Sequence, residues 1–409
     1  MSKAKSLRNT NFIEKSSMNT RFARDKIPIT KKYRQDTHKD FNMAKQPFIS
    51  LPSLSSEYPF RNLVFQGGGV KAYGYHGVLR VLEEHGILKK IERVGGTSAG
   101  ALQATLLSFR LSAEETIKLY KTLDLTQVRA YSMSDENSPT ENRLLEAPLG
   151  KALGNLNTIN RLVRHFGVYS NRYTAGWLKD IIARHCDGNG HATFGEFRAR
   201  GFRDLYIVAV NVSRHRAEVF SVESTPKVAV LDAVTMSGSI PFMFEAVRFD
   251  GEKIGSEGDY YVDGGVLSNF PINIFDKPEF AIGNRHYTYG INWETLGCRL
   301  YTPEDCPQRK AQITNLFNFA ENLMETSGEM YNTTLNYRTA DRLRTIDVSN
   351  CCVSPIDFDI RANPDDPKYR EMVEKGEEVT RQYLENYHLP TDRFADIKEK
   401  LAEFISIWR

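Results

Sequence analysis

The chain has 409 residues, of which 41% are hydrophobic and 26% charged, so it has an ordinary globular composition and can bury one large α/β core or two medium ones. We find no run of about 18 apolar residues, and no apolar segment follows the basic N-terminal residues, so we expect neither a membrane span nor a Sec signal peptide. The expected location is the cytoplasm or the surface of a membrane, with export by a specialised system left open.

Charge is distributed unevenly along the chain. Residues 1–50 contain twelve Lys or Arg and four acids, whereas the whole chain has a net charge of only +3, so the remainder is acidic. The leader over 1–57 is either a solvated, poorly ordered tail or a patch for anionic lipid headgroups or a secretion machine. It has no nucleic-acid-binding motif, which argues against a nucleic-acid partner.

The cysteines give no sign of a disulfide framework. Their number is odd, none forms a C-x-x-C pair, and two are adjacent in sequence. We therefore expect five reduced thiols, at Cys186, Cys298, Cys306, Cys351 and Cys352.

The first predicted elements form two strand–turn–helix units. An apolar strand over 62–66 is followed by three glycines and a helix over 73–85, and a second strand over 91–94 is followed by "GGTSAG" and a helix over 101–109. Two such units in tandem predict a parallel α/β sheet.

Further elements follow in chain order. Ser112 and Glu115 predict a capping box for a third helix that ends near residue 123. The polar stretch over 124–169 is interpreted as a surface excursion or a lid. Apolar patterns then predict a helix over 173–186, a buried strand over 205–212, a helix over 228–236, a strand over 260–265, and helices over 308–341, 368–387 and 392–408.

The second turn contains a candidate nucleophile. Gly96 to Gly100 read G-x-S-x-G between a strand and a helix, which is the context of a nucleophile elbow with Ser98 at its tip. The N-terminal end of the following helix would favour negative charge that develops there.

A serine nucleophile requires a base, and histidine is the usual one. None of the nine histidines stands in a tight turn after a strand, whereas Asp263 stands in "VDGG" at the end of an apolar strand. A carboxylate there could reach the same edge of the sheet as Ser98.

The glycine loop after the first strand allows two interpretations. It lacks the pattern of a P-loop but fits the permissive dinucleotide fingerprint, as Gly67-x-Gly69-x-x-Ala72. That fingerprint also requires an acid at the end of the second strand, where this chain has Gly95 and Gly96. The alternative is that the loop directs backbone N–H groups at an oxyanion beside Ser98.

The three motifs in this order resemble the patatin-like phospholipase family. Similar segments are "NLVFQGGGVKAYGYHGVLRVLEEHGI", "VGGTSAGA", "GVYSNRYTAGWL", "TFGEF", "MSGSIPFMFEAV", "YVDGGVLSNFPINIFD" and "SPIDFDI", which together span about residues 60–385. The resemblance implies a three-layer α/β/α fold with a mostly parallel central sheet, and a lipid acyl hydrolase with a Ser–Asp dyad. It also implies that no metal and no organic cofactor is needed.

The resemblance assigns roles to individual positions. Ser98 would be the nucleophile within the elbow of Gly96 and Gly100, and Asp263 in the motif Asp263-Gly264-Gly265 would be the base. The N–H groups of Gly67, Gly68 and Gly69 would form the oxyanion hole, and Lys71 could contact a headgroup.

The predicted organisation is a leader over 1–57, a catalytic core over 58–280, a mainly helical continuation of the same domain over 281–390, and an amphipathic helix over 391–409. Within the core, 124–170 is a candidate lid or insertion. The implied substrate is a phospholipid or lysophospholipid at a peripheral membrane surface, with an activating protein or small molecule left open. The alternatives are a nucleotide- or phosphate-binding module that uses the Gly67–Gly69 loop, and a Ser-His-Asp esterase of another fold.

Overall fold

The computed structural model describes residues 58–131, 161–284, 286–303 and 339–388, and six further residues between 303 and 339. The predicted leader, the centre of the candidate lid, most of the helix predicted over 308–341 and the predicted C-terminal helix lie outside the described residues.

The strands are β1 (Asn62–Phe65), β2 (Arg93–Thr97), β3 (Gly167–Tyr169), β4 (Asp204–Asn211), β5 (Arg216–Phe220), β6 (Phe242–Phe244), β7 (Val247–Phe249), β8 (Asp259–Asp263), β9 (Tyr287–Thr288), β10 (Ile291–Asn292), β11 (Thr295–Tyr301) and β12 (Thr345–Ser349). The helices are α1 (Gly74–Glu84), α2 (Ala99–Ser108), α3 (Ala113–Lys121), α4 (Thr126–Tyr131), α5 (Arg172–His185), α6 (Phe194–Ala199), α7 (Val230–Ser237), α8 (Gly265–Ser268), α9 (Thr339–Leu343) and α10 (Pro367–Glu385).

An eight-stranded sheet forms the centre of the described chain. Its order is β12-β11-β1-β2-β4-β8-β7, and β5 pairs with β4 beside this path. The five strands from β12 to β4 are parallel, whereas β5, β7 and β8 add antiparallel pairs. The prediction of a mostly parallel central sheet is therefore confirmed.

Side-chain alternation along the strands creates two covered faces. In β1, Leu63 and Phe65 pack into the larger core with α1, α2, α7 and α10. Val64 points to the opposite face and packs against residues of the segment 270–275. Because both faces are covered, β4 carries a continuous apolar run over 205–210, as buried parallel strands often do.

The strand before Ser98 is longer than the sequence predicts. It runs through Gly95 and Gly96 to Thr97, and both glycines pair with β4. A Cβ on Gly96 would lie 2.4 Å from the backbone of Gly100, so these glycines serve close packing at the end of a strand as well as the turn.

The segment predicted to be mainly helical also extends the sheet. It supplies β11, which pairs with β1, and β12, which pairs with β11. Hydrophobic periodicity does not mark these strands clearly, because β11 combines Gly297 and Arg299 with its apolar residues.

Two of the cysteines contradict the expectation of five reduced thiols. Cys306 and Cys352 are paired as a disulfide with Cα atoms 5.6 Å apart, a separation typical of such bonds. Cys186, Cys298 and Cys351 are free. The pair is 46 residues apart in sequence, so only the fold brings it together.

Within the described residues, no helix is both long and apolar enough to cross a membrane. In the same part of the chain, no group of three or more His, Cys, Asp or Glu side chains is arranged to hold a metal ion.

Candidate active site

Two strands end opposite each other on the same edge of β4. β2 runs parallel to β4 and ends with Thr97 paired to Val208. β8 runs antiparallel to β4 and ends with Asp263 paired to Ala209, the next residue along. Since β5 occupies the other edge of β4 over 207–211, β2 and β8 share one edge. Neighbouring strand residues are about 3.3 Å apart, so Ser98, directly after Thr97, lies beside Asp263.

Ser98 forms the sharp turn between β2 and α2. Its backbone has φ 55° and ψ −125°, a conformation rarely adopted by residues other than glycine. The turn is packed closely against β1, because a Cβ on Gly100 would lie 2.4 Å from the carbonyl oxygen of Phe65. Ser98 thus stands in a tight turn between Gly96 and Gly100, at the N-terminus of α2.

Asp263 is a fully buried carboxylic acid at the end of β8. Its Oδ1 accepts a hydrogen bond of 2.7 Å from the N–H of Gly265, and its Oδ2 has no hydrogen-bond partner among the described residues. Burial raises the pKa of this carboxyl from 3.8 to about 7, and the Ser98 side chain and the Gly265 N–H lower it by smaller amounts. Ser98 is the side chain among these causes, in keeping with its position beside Asp263 at the shared edge of β4.

The glycine after Asp263 allows the end of β8 to pack closely against β4 and Thr97. A Cβ on Gly264 would lie 2.3 Å from the carbonyl oxygen of Val208 and 2.8 Å from Cγ2 of Thr97. Thr97 in turn donates a hydrogen bond of 2.8 Å from its Oγ1 to the carbonyl of Ser268 in α8. The Asp-Gly-Gly motif is therefore fixed to the end of the strand that carries the nucleophile.

The glycine loop after β1 lies beside Ser98, but its three N–H groups are not equivalent. A Cβ on Gly67 would lie 3.1 Å from Cβ of Ser98, so the loop approaches the nucleophile closely. The N–H of Gly67 donates to the carbonyl of Asn269 at 3.0 Å. Among the described residues, no hydrogen bond engages the N–H groups of Gly68 and Gly69. The prediction of Gly67 as an oxyanion donor is therefore wrong for this conformation, because its N–H is already bonded.

Only glycine fits at position 69 without strain. Its φ is +55°, and a Cβ there would lie 1.9 Å from the carbonyl oxygen of Pro355. The same carbonyl accepts a hydrogen bond of 3.1 Å from the N–H of Val70, so the segment around Pro355 packs against the glycine loop and holds it in place.

Lys71 does not occupy the exposed position that a headgroup contact needs. Only 7% of the residue is exposed, and it is not among the residues that line the cavity beside Ser98. The lysine lies within the 3₁₀ helix Gly69–Tyr73, and its side chain is buried there. We therefore do not retain the headgroup role predicted for it.

The sequence analysis missed the side chain that bonds the backbone of the nucleophile. The N–H of Ser98 donates a hydrogen bond of 2.8 Å to Oγ of Ser237, which donates one of 2.6 Å to the carbonyl of Val208. Two residues later, the carbonyl of Ser239 accepts a hydrogen bond of 2.8 Å from the N–H of Asp263. The segment "MSGSIPF" was available as a signal, but serines at a helix end have many ordinary uses.

A cavity of about 100 Å³ opens beside Ser98 and Gly69. Most of its wall is apolar, and it includes Leu102, Leu125, Val128, Leu178, Val234, Ile240, Phe244 and Phe358. Leu125 and Val128 belong to the start of the segment predicted as a lid, so this part of it contributes to the wall. No histidine within the described residues lines the cavity.

Comparison with known proteins finds a family match and individual relatives. The family model described as patatin-like phospholipase matches residues 63–276, just over half of the chain. An uncharacterized protein of Acanthamoeba polyphaga mimivirus is 28% identical over 231 residues, which cover 56% of this chain and 65% of that protein. The "Probable lipid hydrolase 463L" of Invertebrate iridescent virus 6 is 24% identical over 226 residues, which cover 55% of this chain and 66% of that one.

Among solved structures, VipD from Legionella pneumophila is similar with a TM-score of 0.47 and 18% identity, over 80% of this chain and 67% of that chain. The matched part thus spans about two thirds of the length of each of these three proteins. The family match runs from the second residue of β1 to residue 276, beyond α8, and so includes the glycine loop, the Ser98 turn and the buried aspartate. The chain therefore belongs to the patatin-like phospholipase family.

Proposed function

We propose that this protein is a lipid acyl hydrolase that cleaves carboxylic esters of phospholipids or lysophospholipids through an acyl-enzyme on Ser98. Membership of the family supports ester hydrolysis and a lipid substrate. The observation that carries the mechanism is the meeting of the ends of β2 and β8 on neighbouring residues of β4, which sets Ser98 beside the buried Asp263.

In the first half of the proposed reaction, Asp263 takes the hydroxyl proton of Ser98 as Oγ attacks the ester carbonyl. The N–H groups of Gly68 and Gly69 stabilise the oxyanion of the tetrahedral intermediate, and the N-terminus of α2 favours the same negative charge. As the ester C–O bond breaks, Asp263 returns the proton to the leaving alcohol.

In the second half, Asp263 takes a proton from water, and the hydroxide attacks the acyl group on Ser98. The bond to Oγ breaks, the fatty acid leaves, and the proton restores the serine hydroxyl. A carboxyl pKa of about 7 suits both halves, because such a group accepts and releases a proton near neutral pH.

The cavity supports an acyl chain as the group next to the nucleophile. Its wall combines aliphatic side chains from α2, α5 and α7 with the aromatic rings of Tyr120, Phe244 and Phe358, and Ser98 itself forms part of its lining. A fatty acyl chain gains free energy by leaving water for such a surface, at about 0.8 kcal/mol per buried CH₂ group. Because long-chain phospholipids reside in bilayers, we also propose action at a membrane surface.

Mass spectrometry of mixed lipid vesicles tests this function. The wild type should release fatty acid and the corresponding lysolipid, whereas Ser98→Ala and Asp263→Asn should not. Asp187→Asn is the matched control, because that side chain is 91% exposed and bonded only at the surface to Arg200. A wild type that stays inactive even with added cell extract, or an active Ser98→Ala variant, would contradict the proposal.

A second experiment addresses the alternatives. A Ser-His-Asp esterase should lose activity in one of nine His→Ala variants that still fold, whereas the proposed dyad retains activity in all of them. A nucleotide-binding module should bind ATP or NAD in equilibrium dialysis, which the proposed enzyme does not require. Activity only after addition of a cell extract would indicate an activating partner.

A further inference from the structure

The turn at the end of α7 is bonded to both members of the proposed dyad. The Ser237 hydroxyl accepts the N–H of Ser98, and the Ser239 carbonyl accepts the N–H of Asp263, each at 2.8 Å. In the described part of the chain, no other segment accepts hydrogen bonds from the backbone N–H groups of both residues. A shift of this turn would therefore move the backbone of Ser98 or of Asp263, and would change the distance between nucleophile and base.

The Ser237 hydroxyl has a defined orientation. Its single proton is used in the bond to the carbonyl of Val208, so it must offer a lone pair to the N–H of Ser98. Val208 is the β4 residue that pairs with Thr97, and its neighbour Ala209 pairs with Asp263. The hydroxyl thus links the backbone of the nucleophile to the point on β4 that also sets the position of the base.

The hydrogen bond from Ser237 matters for Ser98 because the backbone of Ser98 is strained. Its φ of 55° and ψ of −125° are unfavourable for a residue with a side chain, and its N–H stands at the helix start, where it has no partner within α2. Without Ser237 Oγ, this N–H would be unpaired and the strained turn would lose its polar contact. Relaxation of the turn would move Oγ of Ser98 away from Asp263.

Ser237 itself does not meet the substrate. It is fully buried, and it is absent from the lining of the cavity although Thr235 and Gly238 on either side contribute to it. We infer that Ser237 is a positioning residue, which sets the nucleophile against the base through the backbone of Ser98. This inference rests on the proposed function, because it assumes that Ser98 is the nucleophile.

The experiment compares Ser237→Ala with Ser108→Ala. Ser108 is also fully buried and donates to a backbone carbonyl, that of Thr105 at 2.7 Å, but its hydroxyl has no contact with Ser98. The rate of Ser98 labelling by a fluorophosphonate is measured by intact mass, together with kcat and KM for lipid hydrolysis and the thermal midpoint of each variant.

We expect Ser237→Ala to lower the labelling rate and kcat by about 10- to 100-fold with little change in KM, because misplacement of reacting groups by about 1 Å has effects of this size. Ser108→Ala should lose thermal stability without this loss of rate. Ser237→Thr, which keeps a hydroxyl, should have most of the wild-type labelling rate and kcat. If Ser237→Ala does not fold, Ser237→Cys replaces it, since a thiol is a weak donor and acceptor and should give an intermediate rate.

Labelling of Ser237→Ala at the wild-type rate, or an equal loss in Ser108→Ala, would overturn the inference while the proposed function stands. A wild type that is not labelled at Ser98 would overturn the proposed function, and this inference with it.

Discussion

Burial of Asp263 should make the free energy of unfolding depend on pH in a way that Asp263→Asn removes. The rise of its pKa from 3.8 to about 7 corresponds to about 4 kcal/mol, since each unit of pKa is worth about 1.36 kcal/mol. The folded protein holds the proton more tightly than the unfolded chain does. This contribution to stability is therefore fully present below pH 4 and is lost as pH rises to about 7.

The measurement is urea denaturation of the wild type and of Asp263→Asn between pH 4 and pH 8. The asparagine can still accept the N–H of Gly265, and all other titrating groups are shared, so they cancel in the difference. We expect the wild type to lose about 4 kcal/mol relative to the variant across this range. The same carboxyl should give kcat/KM an acid limb near pH 7 on a soluble ester, because the base must be ionised.

A difference in unfolding free energy that stays constant from pH 4 to pH 8 would refute the reasoning about burial. An acid limb near pH 4, combined with full activity at pH 5.5, would show that the base is an ordinary solvated carboxylate.

Three other changes test separate parts of the structure. Gly69→Ala should lower kcat by about 100-fold or more, because the added Cβ meets the carbonyl of Pro355 and displaces a proposed oxyanion donor. Gly176→Ala is the control, because there is open space around it, and it should keep activity and gain stability in α5. Steady-state kinetics and thermal melts compare the two variants. Ala175→Phe should fill the cavity and reduce hydrolysis of long-chain more than short-chain nitrophenyl esters, and equal rates across chain lengths would argue against an acyl site there. Arg344→Met should lower the free energy of unfolding by about 3 to 5 kcal/mol in urea, since it leaves two buried aspartate partners without their cation; a loss below about 1 kcal/mol would contradict this.

Local patterns in the sequence predicted the elements that carry the chemistry. The strand–glycine–helix units, the G-x-S-x-G turn and the "VDGG" at a strand end each depend on residues close together in the chain. Small residues at a sharp turn and an acid after an apolar run are visible without knowledge of the fold. For this reason Ser98 and Asp263 could be predicted as partners, and the predicted sheet type was confirmed.

Other features depend on contacts between distant segments. The use of the Gly67 N–H by Asn269, the burial of Lys71 and the pairing of Cys306 with Cys352 join parts of the chain that no local pattern relates. The strands β11 and β12 were also not predicted, because their place beside β1 results from the sheet as a whole.

The sequence by itself determined which residue types stand at the ends of β2 and β8, because turn geometry and hydrophobic pattern are local properties of the chain. Only the tertiary structure decided that these ends meet on neighbouring residues of β4, and that Ser237 bonds the backbone of Ser98 there. It also decided how far the Asp263 pKa rises, since desolvation depends on all the atoms that surround the carboxyl and not on its neighbours in sequence.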